Sequence, residues 1–361
     1  MGHPSDNALM ARAIRLAERG RYRTRPNPAV GCVLVRDGRV IGEGITQAAG
    51  GNHAEVEALA AAGDARGATA YVSLEPCSHH GSTGPCTEAL VAAGIQRVVV
   101  AVEDPNPVGA GGIARLREAG VEVDCGLLSA AAEAVNPGFF KRMRQGLPFV
   151  RLKLAASLDG RTAMASGESQ WITGPDARAD VQRLRGRSGA ILTGVATVLA
   201  DDPALTVRDP GLDIPNQPLR VVLDSRLRTP TDAKLLGQPG HTLVLHAGES
   251  DPAALVGAGA EVLALPGGGK GIDPERVMKL LAQRSVNEVL VECGPRLAGS
   301  VLDAGLVDEL VVYMAPTLMG SDARPLVALP IERMAAQRRL QLLDLRRVGQ
   351  DVRWTLAPKV E

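Results

Sequence analysis

Residues 53–55 read His-Ala-Glu, residues 75–77 read Glu-Pro-Cys, and residue 86 is a second cysteine. One imidazole and two thiolates are good zinc ligands, and three protein ligands leave a fourth tetrahedral position for water. A zinc ion in such a site lowers the pKa of its water to about 7. Glu55 stands two residues from His53 at the start of an expected helix. A carboxylate there can take the water proton and deliver it to a leaving amine. Cys77 follows an expected strand, and Cys86 opens an expected helix whose N-terminus favours a thiolate. This reading makes His53, Cys77 and Cys86 the metal ligands and Glu55 the catalytic acid–base. A structural zinc site is the alternative, and it would usually close with a fourth protein ligand. His79 and His80 are the candidates for that ligand; the reading preferred here is that they shape a substrate loop.

Working outward, the chain alternates strands and helices. Leu9, Met10, Ala13, Ile14 and Ala17 recur at helical spacing behind Ser5 or Asp6 as cap, and Gly20 supplies the stop. Residues 29–35 and 39–41 flank Asp37-Gly38 as a hairpin. Helix 53–62, strand 69–74, helix 86–93, strand 97–102, helix 111–119 and strand 121–124 follow. Such alternation predicts an α/β layer fold with helices on a mostly parallel sheet. Residues 136–148 carry Pro-Gly, Lys141, Arg142, Arg144 and Gly146, and read as the boundary between domains 1–147 and 148–361. The second part starts with strand 149–155 and alternates again as far as strand 309–315.

Composition narrows the function classes. The 361 residues fit about two domains. Basic and acidic residues number 40 each, 15 of each before residue 150 and 25 of each after it. Neither half is a basic module, which argues against nucleic-acid or membrane electrostatics. Eight aromatic residues make a base-stacking platform unlikely to form. No apolar run approaches 18 residues and no secretory h-region is evident, so a cytoplasmic protein with reduced thiols is expected. Cys32, Cys125 and Cys293 have no partner spacing and read as buried apolar residues.

The His-x-Glu and Pro-Cys strings resemble the zinc nucleoside and base deaminases, whose signature is H-x-E followed by P-C-x-x-C. Here the second cysteine lies nine residues on, not three. That spacing narrows the resemblance. Asn27-Pro28-Ala29-Val30-Gly31, His53-Ala54-Glu55-Val56 and residues 75–81 (Glu-Pro-Cys-Ser-His-His-Gly) are similar to the deaminase domain of the bifunctional riboflavin-biosynthesis deaminase–reductases. Residues 153–161 (Lys-Leu-Ala-Ala-Ser-Leu-Asp-Gly-Arg), 169–173, 201–208 and Glu292-Cys293-Gly294-Pro295 resemble the reductase domain of the same family. The strings occur in the same order over about residues 6–356.

The resemblance implies a cytidine-deaminase-like three-layer α/β domain followed by a dihydrofolate-reductase-like α/β domain. It implies zinc-dependent deamination of 2,5-diamino-6-(5-phosphoribosylamino)pyrimidin-4(3H)-one. NADPH-dependent reduction of the ribosyl group then gives 5-amino-6-(5-phosphoribitylamino)uracil. It also implies a homo-oligomer, with a phosphorylated pyrimidine as the small-molecule partner.

The cofactor site is less legible. No G-x-G-x-x-G follows a strand in the second half. Strand 288–292 runs into a glycine turn and a helix start, which is either a plain βα turn or an anion site. The resemblance favours the cofactor, at Ala155, Trp171, Thr197, Asp201, Ser225, Gly294, Pro295, Arg296, Leu297, Ala298, Gly299 and Ser300. It places substrate contacts at Asn27, Lys153, Ser169, Arg185, Leu205, Arg208 and Glu292. Arg185 and Arg208 suit a phosphate, which guanidinium forks bind bidentately. Gly267-Gly268-Gly269-Lys270-Gly271 lacks the phosphate-loop spacing and reads as a connector.

Two positions depart from the family. A histidine is frequent where Thr46 stands, and Lys or Arg where Ser82 stands. Loss of an unreplaced charge-assisted bond there weakens substrate binding in the first site, on the order of 1–3 kcal/mol. Ser82→Lys is therefore expected to lower the apparent KM of deamination, and an unchanged KM contradicts that expectation.

Overall fold

A computed structural model describes residues 5–80, 84–248, 250–265, 267 and 271–359. The chain folds as two compact units, Met1–Gln145 and Gly146–Glu361.

The first unit runs α1 (Asp6–Gly20), β1 (Gly31–Arg36), β2 (Arg39–Ile45), α2 (Ala54–Ala62), β3 (Thr69–Val72), α3 (Cys86–Ala92), β4 (Arg97–Val100), α4 (Gly112–Glu118), β5 (Glu122–Cys125), α5 (Ser129–Val135) and α6 (Pro137–Gln145). Ser5 caps α1 by accepting from the Ala8 N–H, and the stripe of Leu9, Met10, Ala13, Ile14 and Ala17 is buried. Asp37 and Gly38 are both left-handed, with φ of 52° and 71°, as a type I′ hairpin turn requires. Strand order is β2-β1-β3-β4-β5. The first three strands are antiparallel neighbours, and β3, β4 and β5 run parallel. The two ligand-bearing segments thus follow β2 and β3, and both feed helix starts.

The second unit runs β6 (Phe149–Ser157), β7 (Arg161–Ala163), α7 (Pro175–Arg187), β8 (Ala190–Gly194), α8 (Val195–Asp201), β9 (Leu219–Leu223), β10 (Thr242–His246), α9 (Ala253–Gly257), β11 (Glu261–Ala264), α10 (Pro274–Gln283), β12 (Glu288–Glu292), α11 (Pro295–Asp303), β13 (Glu309–Ala315), β14 (Arg324–Pro325), β15 (Leu340–Val348) and β16 (Asp351–Pro358). Its large sheet has the order β11-β10-β9-β8-β12-β6-β13-β16-β15. Strands β11 to β13 are parallel, and β16 and β15 close the edge antiparallel. Ala190-Ile191-Leu192 and Val289-Leu290-Val291 are wholly buried, as parallel strands covered on both faces must be. Arg151 is one of the charged residues inside this core. It is buried in β6, donates to Glu288 at 2.9 Å and also bonds Glu309, which Arg187 reaches at 3.2 Å. Two guanidinium groups on two carboxylates let these charges stay inside the protein.

Several expectations are corrected. The boundary segment 136–148 carries a helix that the sequence reading did not name: α6 fills most of it, with Pro137 at its first position and Phe139 and Phe140 buried. The Asn136 amide is also structural, accepting from the Ala29 N–H and donating to the Ala29 carbonyl, both at 2.8 Å. The β15–β16 hairpin extends the second sheet beyond the last strand expected. His53 lies outside α2 and is its N-terminal flanking residue. Cys32 is buried as expected, but Cys293 is half-buried and Cys125 is exposed. Residues 268–270 of the glycine-rich connector lie outside the described residues.

Gly44 sets the depth of α2. A Cβ there would stand 2.0 Å from the Ala54 carbonyl oxygen, at the first turn of the helix that carries Glu55. Gly44→Ala must push α2 off the sheet, at a cost of about 1–3 kcal/mol typical of overpacking. Denaturant unfolding of the first unit should show that loss; an unchanged midpoint contradicts the close packing.

Candidate active sites

The end of β2, the start of α2 and the β3–α3 loop bring three donors together. The ligating atoms of His53, Cys77 and Cys86 all lie within 4.8 Å of one another. His53 Nδ1 faces both sulfurs, 3.5 Å from Cys77 Sγ and 3.3 Å from Cys86 Sγ. The Cys86 backbone N–H points at Cys77 Sγ at 3.4 Å. The hydrogen bond from Cys86 lowers the Cys77 thiol, and the same bond raises Cys86. Two thiolates this close repel each other, and a cation between them removes that penalty. This donor set fits zinc, with a fourth position left over. Glu55 is buried in the first turn of α2, and burial pushes its carboxyl up to about 7.

The surrounding loop is held by a residue that the sequence reading did not single out. Glu75 is buried, and its carboxylate accepts from the backbone N–H groups of Asp104, Gly111 and Ile113 at 3.0, 3.1 and 2.9 Å. Three backbone donors fix that carboxylate and tie residues 104–113 to the strand end before Cys77. Gly112 packs so closely on Pro76 that a Cβ would lie 1.8 Å from its carbonyl oxygen. Asp104, also missed, is half-buried beside the site; burial pushes its carboxyl up to about 6, and Cys77 and His79 both act on it. Glu75 adjoins Pro76-Cys77, so its acidic type at a strand end was the available signal. Asp104 gave none beyond its type.

Asn27 is exposed. His80 is exposed and lies 3.8 Å from Glu88. Thr46 is buried, and its hydroxyl donates to the Val30 carbonyl at 3.4 Å, so it serves the strand end. Ser82 lies outside the described residues.

In the second unit the candidate residues gather around the C-terminal ends of parallel strands, where open α/β sheets bind ligands. Lys153 of β6 lies opposite Glu292 of β12 in register. Arg185 of α7 donates two bonds to Glu292, at 2.6 and 3.0 Å, and a third to the Thr206 carbonyl at 3.0 Å. Its guanidinium is thus held by Glu292 and the Thr206 carbonyl inside the protein. Burial alone would raise the Glu292 carboxyl, but Arg185, Lys153 and Arg208 outweigh it and hold the group below its ordinary value. Burial lowers Lys153, partly offset by Glu292. Among the described residues Lys153 Nζ makes no hydrogen bond. Arg208 is exposed, which leaves its guanidinium the better placed of the two for a phosphate.

Ser169 donates to Asp201 at 2.8 Å, joining a substrate candidate to a cofactor candidate. Trp171 is 70% exposed, with the Arg178 guanidinium 4.6 Å from its ring centroid. Leu205 is buried with φ 48°, a left-handed conformation that costs a branched side chain energy and marks a constrained loop. Ala155 and Thr197 are half-buried on β6 and α8, and Ser225 is half-buried just past β9.

At the β12–α11 turn, Gly294 is the flanking residue and no side chain caps the helix. The first-turn N–H groups are available to an anion there. Gly294, Pro295 and Leu297 are half-buried, while Arg296 and Ser300 are exposed. Ala298 and Gly299 turn inward instead. Ala298 is buried, and a Cβ on Gly299 would sit 1.9 Å from the Ala328 carbonyl oxygen. Part of the 153–161 string is also architectural: Asp159 accepts from the Ser157 hydroxyl at 2.5 Å and from the Met319 and Gly320 N–H groups at 3.1 and 2.9 Å.

Both halves of the chain have known relatives. Residues 3–102 match the family Cytidine and deoxycytidylate deaminase zinc-binding region, and residues 148–354 match the family RibD C-terminal domain. A zinc deaminase region joined to a reductase domain defines the class: a bifunctional enzyme with two chemically distinct centres. Riboflavin biosynthesis protein RibD of Escherichia coli (strain K12) is 52% identical, the alignment spanning 96% of this chain and 98% of that one. The Haemophilus influenzae protein of the same name is 48% identical over 98% of both. The structure of Acinetobacter baumannii RibD (form 1) superposes with a TM-score of 0.92 at 47% identity, covering 98% of this chain and 99% of that one. A Thermotoga maritima structure, described as a diaminohydroxyphosphoribosylaminopyrimidine deaminase/5-amino-6-(5-phosphoribosylamino)uracil reductase, superposes at 0.87 with 32% identity and the same coverage. The chain belongs to the RibD family of riboflavin-biosynthesis enzymes.

Proposed function

We propose that the chain deaminates 2,5-diamino-6-(5-phosphoribosylamino)pyrimidin-4(3H)-one and then reduces the ribosyl group to ribityl, giving 5-amino-6-(5-phosphoribitylamino)uracil. The observation that carries the first half is the convergence of His53, Cys77 and Cys86 beside the buried Glu55. His53 Nδ1 and the two sulfurs would hold the ion. When bound, zinc supplies Lewis acidity toward a water in the position that the protein leaves free. Glu55 takes a proton as the water oxygen adds to the amine-bearing ring carbon. It returns that proton to the amine nitrogen as the C–N bond breaks, so ammonia leaves, and the proton left on the added oxygen passes to the ring nitrogen to give the carbonyl. Glu75 keeps the 104–113 segment against the site.

In the second half, the first turn of α11, with Thr197, Asp201 and Ser225, holds the dinucleotide. NADPH supplies the hydride when bound. Lys153 and Ser169 face the phosphorylated pyrimidine, and Arg208 takes its phosphate. Arg185 positions Glu292 for the substrate rather than binding phosphate itself. The reduced thiols that zinc binding needs support a cytoplasmic location. Among the described residues no helix is long and apolar enough to cross a membrane.

Glu55→Gln should keep one zinc per chain by elemental analysis and lose about 10²- to 10⁴-fold in ammonia release. Cys86→Ser should lose the zinc as well. Normal ammonia release by a zinc-loaded Glu55→Gln protein contradicts the assignment. In the reductase assay, Arg208→Ala should raise the KM of the phosphorylated intermediate about tenfold or more, the value of a charge-assisted bond. An unaltered KM removes Arg208 from phosphate binding.

A homo-oligomer is supported by β15. It is the edge strand of the large sheet, and Leu340, Leu342, Leu343 and Leu345 on it are all exposed. Exposed apolar edge strands invite pairing. Sedimentation at micromolar concentration should give an assembly that Leu342→Glu with Leu345→Glu weakens; a monomeric parent protein contradicts this.

A further inference from the structure

Tyr313 is fully buried in β13, at a position that no motif marks. Its hydroxyl donates to Asp180 Oδ2 on α7 at 2.6 Å. Arg353 of β16 donates to the same oxygen at 2.9 Å, and its guanidinium carbon lies 6.0 Å from the Tyr313 ring centroid. In register, Tyr313 stands opposite Ala155 of β6 on one side and Arg353 of β16 on the other. Lys153 is two residues before Ala155 and shares its face of the sheet. The Lys153 Nζ lies 5.9 Å from the Tyr313 ring centroid.

This geometry answers a problem that Lys153 poses. An ammonium taken out of water is disfavoured, and this one has no hydrogen bond among the described residues. Its charged surroundings are Glu292 from β12, already engaged by Arg185 from α7, and the Tyr313 ring from β13. Asp180 and Arg353 fix the ring from behind. An aromatic face attracts an ammonium within about 6 Å, more strongly where water is scarce. It does so without occupying any N–H donor, so all three remain for a ligand.

We infer that Tyr313 is a positioning residue of the second site, its tethered ring holding the Lys153 ammonium ready for the phosphorylated substrate. The inference rests on Lys153 being a substrate contact. Asp180 and Arg353 act one step further back, by keeping the ring from turning.

The test uses the full-length protein with carbon-13 at the lysine ε positions. The chain has six lysines, and Lys153→Arg assigns the signal. In the wild type the Lys153 ε protons should lie upfield of the other five through the ring current. Tyr313→Phe, which keeps the ring but loses the Asp180 tether, should keep part of that displacement, and Tyr313→Leu should abolish it. An undisplaced Lys153 signal in the wild type overturns the inference however the variants fold.

Kinetics with 5-amino-6-(5-phosphoribosylamino)uracil and NADPH give a second readout. Tyr313→Leu should raise KM about tenfold and move the alkaline limb of kcat/KM down by roughly half a unit to one unit. The sign follows from the loss of the ring: the ammonium is then less favoured and deprotonates at lower pH. Tyr313→Phe, with the ring present but untethered, should fall between Tyr313→Leu and the wild type in both. A folded Tyr313→Leu protein with unchanged KM and limb overturns the inference. Lys153→Met separates the premise from the inference. An unchanged KM there removes Lys153 from the site, whereas a raised KM with no ring-current displacement removes only Tyr313.

Discussion

Two cysteine sulfurs and an imidazole nitrogen lie within 4.8 Å of one another, a separation at which two thiolates repel unless a cation stands between them. The first unit is organised around that requirement. The hairpin β1–β2 delivers the chain to His53, Gly44 lets α2 approach, and α2 then buries Glu55 beside the ligands. Glu75 accepts from three backbone N–H groups and fastens the neighbouring loop. Chemistry and architecture are inseparable here, because the proposed proton-transfer residue sits on the helix turn whose flanking residue is a proposed metal ligand.

The second unit meets a different constraint. Its site collects charges at the buried ends of parallel strands, where isolated ions are costly. Arg185 and Glu292 neutralise each other, and Asp180 anchors Tyr313 and Arg353. Lys153 and Arg208 are the cations left facing outward to a ligand. Helix α7 carries both Asp180 and Arg185, so one helix sets both ends of this polar seam. The nearby Arg151, Arg187, Glu288 and Glu309 cluster uses the same chemistry for structure alone. Its guanidinium groups are all matched by carboxylates, whereas the site keeps an ammonium without an internal acceptor.

Sequence reading captured what depends on residue type and local order. Three soft and borderline ligands next to an acidic residue state their chemistry directly, and an alternating strand–helix pattern states the fold class. Long rare strings such as residues 75–81 and 153–161 narrowed the family. What escaped depended on distant partners. Arg185 looked like a phosphate fork because Glu292 is 107 residues away in sequence. Tyr313 gave no signal because Asp180 and Arg353 reach it across β13, α7 and β16. Helix α6 was hidden by Pro-Gly and a run of basic residues, although Phe139 and Phe140 anchor it. The β15–β16 hairpin was missed because its leucines are exposed and alternate with charges.

The central claim is that one chain performs both reactions in sequence. The most direct measurement supplies the diaminopyrimidine substrate with NADPH to the purified, zinc-loaded protein and follows ammonia and NADPH together. The account predicts ammonia release followed by an equal loss of NADPH. Loss of NADPH only when the already deaminated intermediate is supplied would contradict it, leaving a reductase whose first site acts elsewhere or not at all.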